Sequence, residues 1–292
     1  MKIGLIDVDG HNFPNLALMK ISAYHKSLGD DVEFWNGLLE YDKVYMSKVF
    51  TFTKDVSTII QADEVIKGGT GYDLQNKLPF EIEHQYPNYS LYNIKNTAYG
   101  YMTRGCPRGC EFCIVKEKEG QKTYKVSDLG EFWKGQKEIK LLDPNLIACS
   151  EWKALLHQLI HSNAWVDFTQ GIDIRLMTDE KAFIINQLKI KMLHFAWDNY
   201  EFSTYEKLKE FRPLLKFDFR KLRVYVLTNF NTTIEQDLER IYKLKELGYD
   251  PYVMIYDKYK ATQNIRYLQR WVNNKIIFRT CDRFEDYNHK IG

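Results

Sequence analysis

The chain has few cysteines, almost no net charge and no long apolar run. Five cysteines in 292 residues do not make a disulfide scaffold. A total of 41 basic against 39 acidic residues leaves a formal charge of +2, which neither requires nor excludes a nucleic-acid partner. No uninterrupted apolar stretch reaches the roughly 18 to 20 residues that span a bilayer. The opening MKIGLIDVDGHNF meets charge at Asp7 and Asp9, so it lacks the h-region of a signal peptide, and the expectation is a soluble, cytoplasmic protein. What the chain does have is 45% hydrophobic and 15% aromatic residues, enough for a substantial core and contrary to global disorder or a coiled coil.

Two blocks emerge along the chain. In residues 1–78, KIGLIDV, VEFW, KVYM and EVIKGG read as strands. An amphipathic helix runs through Leu16, Leu18, Met19, Ile21, Ala23 and Leu28, and a short helix is expected over residues 55–62. This rhythm predicts a small, mostly parallel, doubly wound sheet. Ligands of such sheets bind at the carboxyl ends of the strands, where Asp7, Asp9, His11, Ser47 and the turn Gly68-Gly69-Thr70-Gly71 fall. That glycine cluster suits either an anion or an ordinary turn. Residues 79–98 are polar and rich in Pro, Asn and Tyr, and read as a linker or wrapping segment.

From residue 99 to 292 strands and helices alternate. Strands are expected over 99–103, 138–142, 165–168, 192–197, 222–227 and 249–255. Helices are expected near 125–133, 150–161, 178–188, 205–215, 233–247 and 264–271, with a last strand-like run over 276–278. Six βα units are two short of a closed eight-stranded barrel, so the economical architecture is a partial (β/α)6 barrel, or partial TIM barrel, open on one side. An open doubly wound sheet is the other solution. Polar residues follow nearly every strand: Asp143 and Asn145, then Gln170, Asp173 and Arg175, then Asp198 and Asn199, then Asn229, then Asp257 and Lys258. On a barrel they would converge on one mouth, while Asn145, Asn199 and Asn229 also suit helix caps or turns.

The most informative stretch is Thr103-Arg104-Gly105-Cys106-Pro107-Arg108-Gly109-Cys110-Glu111-Phe112-Cys113, directly after the first of these strands. Three thiolates at spacings of four and three can converge on one metal centre. No fourth cysteine or histidine follows closely, and Cys149 and Cys281 read as ordinary thiols outside any second motif. A structural zinc site takes four protein ligands, whereas an iron–sulfur cube held by three cysteines leaves one iron open.

This CxxxCxxC loop, with an aromatic before its last cysteine, resembles that of the radical S-adenosylmethionine (SAM) superfamily. DFTQGIDIRLMT and TTIEQDLERIYKLKELGYDPYVMIYDK resemble segments of methylthiotransferase-like and cobalamin-associated members. The resemblance implies a [4Fe–4S] cluster on Cys106, Cys110 and Cys113, with SAM chelating the fourth iron through its amino and carboxylate groups. It implies an enzyme in which an electron donor such as flavodoxin or ferredoxin reduces the cluster, SAM is cleaved, and a 5'-deoxyadenosyl radical attacks an unidentified substrate. The family places a Gly-Gly-Glu-like segment after the second strand, where this chain has Leu141-Leu142-Asp143-Pro144-Asn145. Asp143 is then the candidate for the SAM ammonium, Arg175 for its carboxylate, and Gln170, Asp173 and Asn229 for ribose or substrate. The other reading of Arg175 is a salt bridge to Asp173 or Asp179.

The first block resembles the cobalamin-binding or degenerate cobalamin-like domain that precedes many radical SAM cores. Asp9-Gly10-His11-Asn12-Phe13-Pro14 is similar to the axial-histidine motif DxHxxG, but Pro14 stands at its last glycine, so a degenerate domain is expected rather than a cobalamin site. Between Lys258 and Cys281 six basic residues without an acid alternate with Tyr259, Tyr267, Trp271 and Phe278. That suits RNA or another phosphorylated substrate, or a helix that packs its aromatics inward. The competing functional class is a non-enzymatic iron–sulfur or zinc protein acting as an interaction or regulatory module.

Overall fold

The computed structural model describes residues 1–10 and 13–290; His11, the candidate corrinoid contact, lies outside the described residues. Two compact units emerge, one of Met1–Gly100 with Asp128–Ile139, the other of Tyr101–Ser127 with Lys140–Gly292.

In the first unit β1 (Lys2–Asp7), β2 (Asp31–Phe34), β3 (Tyr41–Ser47) and β4 (Ala62–Gly68) form a parallel sheet of order β2-β1-β3-β4. Alternation along β1 separates two cores. Ile3 and Leu5 meet Leu18 and Ile21 of α1 (Leu16–Ser27), while Ile6 meets Val44 and Met46 on the other face. Asn15 caps α1 by accepting from Leu18 N at 3.2 Å. The helix expected over 55–62 does not form. Val56 and Ile60 instead lie in irregular chain against the Ile6 core, and the Asp55 carboxylate is held by Lys48, Lys67 and Tyr72. The glycine cluster after β4 is a turn that packs on the backbone of Lys48. Gly69 has φ +95°, and a Cβ there would stand 2.3 Å from the Lys48 carbonyl oxygen, so only glycine fits. The wrapping segment carries α2 (Phe80–Glu83) and a 3-10 turn at Tyr89–Tyr92. Ile82 joins the Ile3 core, and the Tyr89 hydroxyl donates to the Phe132 carbonyl at 2.7 Å.

The remaining strands are β5 (Thr97–Gly100), β6 (Thr103–Arg104), β7 (Tyr124–Lys125), β8 (Glu138–Leu141), β9 (Trp165–Phe168), β10 (Lys189–Ala196), β11 (Leu222–Thr228) and β12 (Asp250–Ile255). Six of them make an open sheet of order β12-β11-β10-β9-β8-β5, parallel from β9 to β12. The helices of this half are α3 (Val115–Glu119), α4 (Trp152–Ser162), α5 (Asp179–Ile185), α6 (Phe202–Phe211), α7 (Ile234–Glu246), α8 (Gln263–Asn273) and α9 (Lys275–Thr280). The mixed α/β architecture with an unclosed parallel sheet is the one expected of a partial barrel.

Strand residues such as Val166, Leu193, Phe195, Val224, Val226 and Val253 are fully buried, as are Leu156, Leu208, Ile241, Leu244 and Leu268 on the helices. The intervening positions carry a different chemistry. His194 stacks on Tyr225 at 5.0 Å, Tyr225 meets Tyr252 edge-on, and His194 Nδ1 donates to the Phe168 carbonyl at 3.0 Å. Burial pushes His194 down to about 4, so the ring is neutral.

Two local expectations are corrected. Residues 125–133 form no α-helix: Tyr124–Lys125 pairs with β6, and only a 3-10 turn at Leu129–Glu131 follows. The run 276–278 is the middle of α9, because Asn274 accepts from the backbone N–H of Ile276 and Ile277 and starts a helix. No helix among the described residues is long and apolar enough to cross a membrane.

Candidate metal centre

The cysteine loop leaves the short hairpin β6–β7 and enters α3. Glu119 of α3 reaches back to fix its start: Arg104 Nη1 and the Gly105 N–H both donate to it at 2.9 Å. The Cys106 N–H donates to the Gly120 carbonyl, and Thr123 Oγ1 donates to that of Gly105. Gly105 has φ +79°, and a Cβ there would sit 2.1 Å from the Lys122 carbonyl oxygen, so glycine is the residue that lets the loop close onto the hairpin.

Beneath β6 lies Asp143, 3% exposed. Its carboxylate accepts from the N–H groups of Met102 and Thr103 and from the Thr103 hydroxyl at 2.7 Å. Burial pushes Asp143 up to about 6 even though these donors favour the charged form. The carboxylate is therefore bonded, mostly through Oδ1, to the strand that carries the loop and clamps β6.

All three cysteines are free and partly buried. Burial pushes the Cys110 and Cys113 thiols up, and each is pushed further by Asp198 and by neighbouring thiols; Arg175 opposes this at Cys110. The three sulfurs thus share one electrostatic environment. Among the described residues no group of three His, Cys, Asp or Glu side chains stands at metal-binding geometry. Three free thiols on one glycine-hinged loop are the donor type that an iron–sulfur cluster takes. Phe112, before the last cysteine, packs edge-on against Phe230 at 5.6 Å, and Phe230 meets Tyr256 at 4.9 Å, so the loop is anchored at the ends of β11 and β12.

Around the thiols stand charged groups from the strand ends. Asp173 accepts from Arg175 Nε at 2.8 Å and also from Arg108 of the cysteine loop. Burial alone would raise Asp173, but these two guanidinium groups hold it below the usual carboxylate range. The alternative reading of Arg175, a salt bridge to Asp173, is thus present in the structure. Gln170 is exposed in the turn after β9. Asn229, in a left-handed conformation with φ +62°, donates to the Tyr256 carbonyl at 2.8 Å and ties the ends of β11 and β12 together.

Asp198 and Asn145 were expected at the mouth without an assigned role, and Arg240 was not expected. Asp198, after β10, is pushed up to about 6 by burial, against the pull of Arg240 and Arg175. Arg240 of α7, fully buried with Asp237, donates to the carbonyls of Trp197, Asp198 and Leu227 and so fixes the ends of β10 and β11. An Asp and an Arg three apart, in line with Ile241 and Leu244, was the available sign of this inward-facing pair. Asn145 is 2% exposed; its Nδ2 donates to Cys106 Sγ at 3.6 Å, and its Oδ1 has no partner among the described residues.

Elsewhere, Cys149 is buried, and the Cys281 thiol donates to the Arg283 carbonyl. In the basic C-terminal stretch Trp271 and Phe278 pack against each other inside the fold and offer no face to a nucleobase. Arg266 and Arg270 donate to backbone carbonyls and Lys275 to Asp250.

Comparison with protein-family models and with curated protein sequences gives no match. Among solved structures, two of the radical SAM methyltransferase TsrM from Kitasatospora setae are similar, one with cobalamin and a [4Fe–4S] cluster bound, the other with tryptophan substrate and the SAM analogue aza-SAM. Each aligns over 87% of this chain with a TM-score of 0.64 and 11% identity, covering 74% and 72% of the respective TsrM chains. The chain thus shares the fold of a radical SAM methyltransferase.

Proposed function

We propose that this chain is a radical SAM enzyme that reductively cleaves SAM at a [4Fe–4S] cluster held by Cys106, Cys110 and Cys113. The observation that carries the reading is the loop itself: three free, partly buried thiols in one electrostatic environment, at the carboxyl ends of an open parallel sheet. When bound, such a cluster supplies one electron to SAM, releasing methionine and a 5'-deoxyadenosyl radical. The protein's part is placement and exclusion of water.

In this reading Asp143 and Glu119 both hold the segment that leads into the cysteine loop, Asp143 at Met102 and Thr103 and Glu119 at Arg104 and Gly105. Asp173 orients Arg175 by the Nε bond, leaving the outer edge of that guanidinium for the SAM carboxylate. The acceptor for the SAM ammonium is the buried Asn145 Oδ1 rather than the already bonded Asp143. Gln170, Asp173 and Asn229, with Asp198 beside them, are the remaining polar groups proposed for ribose or substrate. The electron comes from an external one-electron carrier such as flavodoxin or ferredoxin.

Low-temperature EPR of anaerobically reconstituted, dithionite-reduced protein, with and without SAM at matched iron content, tests the proposal. The expected result is a [4Fe–4S]⁺ signal that SAM changes, and a Cys110→Ala variant that shows no such change. An unchanged signal at saturating SAM, or no reconstitutable cluster, overturns it in favour of the interaction-module class.

A further inference from the structure

Asn145 stands where either a mouth group or a turn former or cap was expected, and its side chain makes no capping bond to the 3-10 turn at Leu146–Ala148 that follows it. The amide is 2% exposed and reaches across 39 residues of sequence to place Nδ2 at 3.6 Å from Cys106 Sγ. Its Oδ1 is buried and has no partner among the described residues. A buried amide with one end on a cysteine sulfur and the other open is costly unless something else completes it, because each polar group withdrawn from water needs a partner.

We propose that Asn145 is a positioning residue that raises the reduction potential of the cluster through its N–H···S bond to Cys106. The inference rests on the reading of the cysteine loop given above. Reduction adds one electron to a cluster, and the added negative charge spreads onto the thiolate sulfurs. A donor aimed at one of those sulfurs stabilises the reduced form more than the oxidised form, so the potential moves upward. Burial strengthens the effect, since the amide acts in a medium poor in water. The open Oδ1 adds a second consequence. A ligand N–H that donates to Oδ1 polarises the amide and strengthens its bond to Cys106, so an amine-bearing ligand raises the potential further.

The test is an EPR-monitored redox titration of reconstituted wild-type protein, Asn145→Leu and Asn145→Asp, each with iron content and a thermal unfolding curve measured alongside. Leucine keeps the volume and removes the donor. Aspartate keeps the shape, cannot donate when ionised and sets a negative charge beside Cys106. The expected order of midpoint potentials is wild type highest, then Asn145→Leu, then Asn145→Asp, at equal iron content and without SAM present. Addition of SAM is expected to shift the wild-type midpoint further upward than that of Asn145→Leu, the difference between the two shifts being the part carried by the amide. Equal midpoints in all three proteins at full iron content overturn the inference and leave the proposed function standing. Loss of iron from both variants with unchanged unfolding curves also overturns it, since Asn145 would then hold Cys106 in place without tuning it. Failure of the wild-type protein itself to take up a cluster is instead the failure of the functional reading on which the inference rests.

Discussion

At the carboxyl ends of the four-stranded sheet Asp7 accepts from the Tyr92 hydroxyl at 2.7 Å, Asp9 accepts from Thr53 and the backbone of Val49 and Phe50, and Asn15 donates to Ser47. At the carboxyl ends of the six-stranded sheet Asp198 is raised to about 6, two thiols are raised by burial, and Asn145 keeps an unmatched oxygen. Both sheets are built on parallel strands, and both put polar residues where ligands of such sheets bind. They differ in whether those residues are already satisfied. In the first unit Asp7, Asp9, Asn15 and Ser47 are all bonded, while the buried Trp35 Nε1 after β2 has no partner among the described residues. In the second the cost of burial is left standing, as it is where groups are held ready for chemistry. Strand-end polarity therefore marks a candidate site only when the hydrogen-bond capacity is still open.

The largest effect is expected at Arg240. Replacing it with Met leaves the Asp237 charge buried and unpaired and removes the donors to the carbonyls of Trp197, Asp198 and Leu227. A loss of about 3–5 kcal/mol is expected in denaturant unfolding. The double variant Arg240→Met/Asp237→Leu should recover much of it, and an equal loss in both would show that the carbonyl contacts alone matter.

A smaller effect is expected at Asp198, which faces Arg240, Arg175 and Asp173 and whose carboxyl is raised from 3.8 to about 6. The folded protein holds this proton more tightly than the unfolded chain. Between those two pH values the folded state carries more protons, so its stability falls as pH rises, by at most about 2–3 kcal/mol from this group. Asp198→Asn should lack that part of the slope in urea unfolding series from pH 4 to 7. Identical slopes in the two proteins would refute the assignment.

The smallest effect is expected at the satisfied end. Titration of the protein with hydroxocobalamin should give no saturable change in absorbance, because Asp7, Asp9, Asn15 and Ser47 are already engaged. Tight stoichiometric binding would show that saturation of the strand ends does not close that unit to a ligand.

The strands of the six-stranded sheet were legible because buried parallel strands are short, nearly continuous apolar runs, and β9, β11 and β12 fall within a residue of the expected ranges. The failures came where local pattern competes with side-chain bonding. Residues 55–62 carry helix-compatible spacing, but Asp55 is held by three partners in irregular chain, and Asn274 converts a strand-like triplet into a helix.

By itself the sequence determined the cysteine loop, since the spacing of Cys106, Cys110 and Cys113 is local and the glycine at 105 is dictated by backbone sterics. It also determined the alternation of the main strands and helices through their periods, apart from residues 55–62, 125–133 and 276–278. Only the tertiary structure decided which polar residues are open. Asp143 is bonded to residues about 40 positions earlier, Asn145 to a sulfur 39 positions earlier, and Arg240 to carbonyls 42 and 43 positions earlier. Burial and hydrogen-bond saturation arise from contacts between distant segments, and no local period encodes them.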